Sequence, residues 1–107
     1  MSDDVNGVSD AFRTFLTEAP AHSQAWMEAV RGLAAASALD AKTEKLAYLA
    51  VLATLRLESG VSFHVQQAKV AGASRNEVIS ALLVGLPAAG TGVTACLPAA
   101  LRAYDET

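Results

Sequence analysis

His64 has the widest chemical scope of any residue in the chain. Gly60, His64 and Ala68 recur at helical spacing and share one face, so small neighbours leave room beside the imidazole. In the opening turns of a helix the backbone dipole favours neutral imidazole, which suits a base or a hydrogen-bond donor. A buried, hydrogen-bonded structural histidine is the competing reading. Glu44 and Glu58 are the nearest carboxylates able to orient the ring. Glu44 would reach it only across a folded-back pair of helices, whereas Glu58 lies just across a turn. Each is also readable as a solvated carboxylate at a helix end. His64, Glu44 and Glu58 are therefore the candidate catalytic set. One histidine with one carboxylate does not identify a metal site, and His22 stands in a connector where exposure is expected.

Other chemistry is scarcer. Cys96 is the only cysteine, so an intrachain disulfide or a cysteine-based metal cluster is impossible. Its neighbours Val93, Leu97 and Ala100 predict an inert, packed thiol. Gly85, Gly90 and Gly92 lack the spacing and the Lys-Ser/Thr ending of a phosphate loop. Phe63 beside His64 is a single aromatic and makes no stacking platform. Trp26 and Phe15 read as core or interface anchors. No cofactor is implied.

The elements that must position these residues are all helical. Ser9, or Asp10 beside it, caps a first helix carrying Phe12, Phe15 and Leu16, which Pro20 ends. Ser23 is a cap for a second helix with Trp26, Val30 and Leu33 at helical spacing. Asp40 caps a long third helix whose leucines and valines occupy more than one stripe, predicting a central, nearly surrounded element. Gly60 is the expected end or interruption of that helix. Ser62, or Ser59, then caps a fourth helix that leaves through Gly72. Ser74-Arg75-Asn76-Glu77 is a capping box for a fifth, ending near Gly85 and Pro87. In the last segment Pro98 must either kink the helix or start a new turn. No run alternates as a strand does. The expected architecture is an all-α bundle of five to six helices.

Composition sets the remaining bounds. The 107 residues suit one domain, residues 1–107, with polar residues 1–7 expected to be loose. Apolar residues make up 52% and charged residues 18%, low against the roughly 25–35% charge of a small soluble surface. That excess predicts a homo-oligomer with an apolar interface. The net charge of −3, with no basic cluster, argues against nucleic-acid binding. The apolar runs are too short to span a bilayer, and the beginning lacks a secretory pattern, so a cytoplasmic location is expected.

The stretch 40–90 resembles the carboxymuconolactone decarboxylase family, which includes the AhpD-like alkylhydroperoxidases. The matching residues are Leu39-Asp40-Ala41-Lys42-Thr43, Gly60-Val61-Ser62-Phe63-His64-Val65 with Ala68, Ala71-Gly72-Ala73, and Asn76-Glu77-Val78-Ile79. The resemblance implies an AhpD-like helical bundle that assembles into homotrimers or homohexamers. In the peroxidase branch a Cys-x-x-Cys pair precedes the family histidine, which matches His64. The two cysteine positions fall here on Leu57 and Gly60. The branch's glutamate falls near Lys45, or on Glu44 after a one-residue shift. Without both thiols, peroxidase activity implied by membership alone is disfavoured. The decarboxylase branch implies a lyase or isomerase acting on a small lactone or carbonyl acid with His64 as general base. Arg56 and Lys69 are the few cations near enough in sequence to assist. The favoured expectation is a non-catalytic helical oligomer that binds a small ligand, apolar or an organic acid, or another protein.

Overall fold

The structure is a computed structural model that describes residues 9–107; the looseness expected of residues 1–7 lies outside the described residues. Local sequence signals start most of the helices. The Ser9 hydroxyl accepts the Phe12 amide hydrogen and opens α1 (Asp10–Glu18). α2 (Pro20–Ala36) begins on Pro20, where a missing amide hydrogen leaves nothing unpaired. Ser23 therefore lies inside α2 instead of capping it; it is buried and donates to the Pro20 carbonyl. The Asp40 carboxylate accepts the Thr43 amide hydrogen at 2.8 Å and opens α3 (Ala41–Leu55).

α3 ends without a glycine. Arg56 adopts left-handed geometry at φ 58°, ψ 38°, a conformation that costs a non-glycine residue roughly 1–2 kcal/mol. Gly60, the terminator expected from sequence, lies instead in the first turn of α4 (Glu58–Val70). The sharp turn at Arg56 folds α4 back against α3. Gly72, at φ 99°, provides the exit from α4.

Ser74 and Glu77 form the reciprocal capping box of α5 (Arg75–Leu82). Lys42 Nζ lies 2.9 Å from the same Glu77 carboxylate and ties α3 to α5. α5 stops earlier than Pro87 suggests. A short α6 (Leu86–Ala89) and a 3-10 segment (Thr91–Cys96) follow. Pro98 sits in the first turn of α7 (Leu97–Asp105), so it starts a helix rather than kinking one.

The core lies between α3, α4, α5, α7 and the 3-10 segment. Leu49, Val61, Val65, Val78, Leu82 and Cys96 are fully buried there. α7 is fastened over α4 and α5 by polar contacts. The Tyr104 hydroxyl donates to the Ala73 carbonyl, Lys69 donates to the Tyr104 carbonyl, and Arg75 pairs with Asp105 at 2.8 Å. The fold is all-α, and no strand occurs among the described residues.

α1 and α2 stand apart from this body. They pack on each other, and α2 buries only Ser23. α3 is thus less enclosed than its sequence suggests. It buries Leu49, Leu52 and Ala53 but exposes Tyr48, Val51 and Leu55. The reason is that α2 packs on α1 and leaves the outer stripe of α3 uncovered. No described helix is long and apolar enough to cross a membrane.

Candidate functional site

The gap between the α1–α2 arm and the body is a cavity of about 380 Å³, within the usual range of small-molecule sites. α4 supplies its inner wall. Val61, Val65 and Ala68 are buried in the core, and Gly60, Phe63 and His64 fall on the adjoining face and line the cavity, so of the two small residues expected beside the imidazole only Gly60 lines the cavity with it. α3 adds Tyr48, the arm adds Phe12 from α1, and α2 adds Trp26, Met27 and Val30. Trp26 and Phe12 therefore wall the cavity instead of entering the core.

His64 sits at the centre of an aromatic group. The Tyr48 ring lies 4.5 Å from it, tilted by 53°, and the Phe63 ring meets it edge-on at 5.2 Å. Its ring nitrogens make no hydrogen bond to any described residue and remain available to an occupant of the cavity. Burial lowers the pKa of His64 from its ordinary value near 6.5, and the positive charge of Lys45 adds to the effect. The imidazole is accordingly neutral near pH 7. His64 lies on the second turn of α4, within the opening turns expected of it, and burial is the main cause of its lowered pKa.

Neither carboxylate of the candidate set is among the described residues lining the cavity. Glu44 is half-buried in the first turn of α3 and forms no hydrogen bond or ion pair with His64. Glu58 is exposed at the start of α4, and its charge acts on Cys96. Burial, followed by Glu58, pushes the Cys96 thiol up, so the thiolate is disfavoured. Leu57 is the residue just before α4, and Gly60 lines the cavity. No group of three or more His, Cys, Asp or Glu side chains among the described residues could hold a metal ion.

Sequence reasoning does not single out Tyr48 or Met27 for the site, and it reaches Lys45 only as the position near which the family glutamate falls. Lys45 and Tyr48 share a face of α3 one turn apart, but nothing local links that face to His64. Their placement follows from the fold-back at Arg56.

These shifts give stability one direction of pH dependence. The folded pKa of His64 is depressed, so its stabilising contribution is present above pH 6.5 and is lost as pH falls through the folded value. The carboxyl groups of Glu77, held down by the Ser74 amide and Lys42, and of Asp105, held down by Arg75, are likewise below their ordinary values of 4.5 and 3.8. Their contribution disappears later in acid. The melting temperature should be level above pH 6.5 and then fall in two stages. His64→Gln should remove the upper stage alone, as read by circular dichroism melts across pH 3–8.

A model of the carboxymuconolactone decarboxylase family matches residues 20–106, which run from α2 through α7 and leave α1 outside. No curated protein and no solved structure matches the chain.

Proposed function

The chain belongs to the carboxymuconolactone decarboxylase family, and from that premise we propose that it is a ligand-binding helical oligomer without dithiol peroxidase chemistry. The observation that carries this reading is the cavity. Among the described residues its walls are mainly aromatic and aliphatic, its one lining group with a shifted pKa is a neutral histidine, and neither a carboxylate nor a thiol lines it. Such a surface gains free energy by excluding water from an apolar ligand, while the imidazole offers one directional polar contact.

Self-association is supported by two apolar patches of different shape. Trp26, Val30 and Leu33 form a row along α2 and are 55%, 38% and 73% exposed. Val51, Leu55 and Val84 surround a shallow groove between α3 and the end of α5. These are large areas for a monomer to leave in water. A ridge on one copy seated in the groove of the next is a heterologous contact, which closes into a ring such as a trimer, or a hexamer of two stacked rings. The occupant of both patches is a second copy of this chain.

A proton-transfer reading draws on one observation, the neutral His64 with unengaged nitrogens. In it, His64 takes a proton from a small lactone or carbonyl acid, with Glu44 or Glu58 as an assisting carboxylate. Neither carboxylate forms a hydrogen bond or ion pair with His64 among the described residues, which makes binding the better-supported function.

The binding reading is tested by heating the protein with 4-phenyl-1-butanol, a neutral probe that fits an apolar cavity. A ligand at about 100 times its Kd adds about 2.7 kcal/mol, equivalent to a rise of roughly 10 °C in a domain this size. Trp26→Ala removes an exposed wall without touching the core, and should weaken the effect about tenfold in probe concentration. An unchanged melting temperature at saturating probe would count against the reading.

A further inference from the structure

We propose that the cavity takes a small neutral phenol, its ring held among Phe12, Trp26 and Phe63 and its hydroxyl hydrogen-bonded to the imidazole of His64, and that it rejects the corresponding carboxylate. The inference rests on the binding function proposed above and specifies the ligand class. The rings of Phe12, Trp26, Tyr48, Phe63 and His64 all line the cavity. Aromatic rings gain from another ring set edge-on or offset against them, beyond the area they bury. That favours a flat aromatic body over a branched aliphatic one.

The polar groups decide the head of the ligand. None of the described residues lining the cavity is Asp, Glu, Lys or Arg, so Glu44 and Lys45 of α3 stand outside its wall. Residues 1–8 contain two aspartates and no lysine, arginine or histidine, and bring no basic side chain either. A carboxylate entering the cavity would lose its hydration without gaining a lining cation, which is costly. The Ser9 hydroxyl already accepts the Phe12 amide hydrogen at 3.2 Å. The imidazole of His64 is packed against the rings of Tyr48 and Phe63, and its nitrogens have no partner among the described residues. Neutral imidazole offers one donor and one acceptor nitrogen, while a hydroxyl both donates and accepts. A phenol therefore satisfies whichever nitrogen faces the cavity, and a plain hydrocarbon leaves it unpaired.

Trp26 is the only tryptophan in the chain and lines the cavity, so its fluorescence, excited beyond the absorption of simple phenols, reports occupancy. The wild-type protein is titrated at pH 7.5 with 4-propylphenol, propylbenzene and 4-propylbenzoate, which share one hydrocarbon body. The acid should bind at least tenfold (~) more weakly than the phenol. That comparison needs no variant and decides the charge of the ligand by itself. His64→Leu keeps an apolar side chain at the position without a nitrogen. It should cut the affinity for the phenol, relative to propylbenzene, about fivefold. His64→Gln retains a donor and an acceptor and should keep most of the phenol's relative affinity. A carboxylate that binds as tightly as the phenol, or a phenol-to-propylbenzene ratio unchanged in His64→Leu, would overturn the inference and leave the binding function standing. Failure of every probe to bind would overturn both.

Discussion

Purified protein mixed with cumene hydroperoxide and dithiothreitol is expected to consume peroxide no faster than the reductant does alone. Dithiol reduction needs a thiolate that attacks the peroxide and a second thiol that resolves the resulting sulfenic acid. By the resemblance to the peroxidase branch, the positions of those sulfurs would fall on Leu57 and Gly60. Cys96 cannot substitute, since it is buried, its thiol is pushed up, and it has no partner cysteine. Loss of a covalent nucleophile can cost an enzyme on the order of 10⁶ in rate, so the expected result is background. The double variant Leu57→Cys, Gly60→Cys sharpens the test. Nothing lies within 4 Å of a side-chain carbon added at Gly60, so the new thiol has space. The two sulfurs would sit one turn apart at the start of α4, where the helix dipole favours thiolate. That variant should show two rapidly reacting thiols and peroxide consumption above the wild-type level.

The second large effect is on assembly. Leu33→Asp places a charge on the exposed row of α2, and Leu55→Asp places one in the groove on α3. Neither residue supports the core of the monomer, so both variants should remain helical. A charge buried without a partner at an interface costs several kcal/mol, enough to reduce affinity by roughly a thousandfold or more. Light scattering should give a multiple of 11.0 kDa for the wild-type chain and the monomer mass for each variant. Mixing the two variants is the more incisive experiment. One keeps an intact groove and the other an intact ridge, so the mixture should form a heterodimer that neither variant forms alone. Two variants that both stay oligomeric would refute the ridge-and-groove assignment.

Much of the fold is legible in the sequence because much of it is set locally. Ser9, Asp40 and the Ser74–Glu77 pair act within one turn, and each opens the helix expected of it. The end of α3 is not legible in that way. A left-handed arginine is locally unfavourable, and it is maintained by the packing of α3 against α4. A reader of the sequence chooses Gly60 because glycine has no such cost. Proline at the first position of α2 similarly overrides the serine that resembles a cap. The uncovered stripe of α3 is invisible beforehand, because burial depends on where α2 goes and not on α3 itself.

The candidate site divides along the same line. His64 is conspicuous from its small neighbours at helical spacing. Its surroundings come from three other helices, and no local pattern announces that Tyr48, Phe12 and Trp26 converge on it. Glu44 and Glu58, which look relevant from spacing, make no hydrogen bond or ion pair with the ring among the described residues, and the charge that lowers its pKa after burial is that of Lys45.

The most direct test of the cavity's role is proton NMR of the wild-type protein titrated with 4-phenyl-1-butanol. The chain has two histidines and one tryptophan, so their side-chain signals can be assigned with His64→Gln and Trp26→Ala. Saturable shifts of the His64 imidazole and the Trp26 indole with a shared Kd, while exposed His22 stays fixed, are the result expected of a ligand seated between α2 and α4. Shifts of His22 and His64 of equal size that grow without saturating, or a His64 signal that never moves, would contradict it.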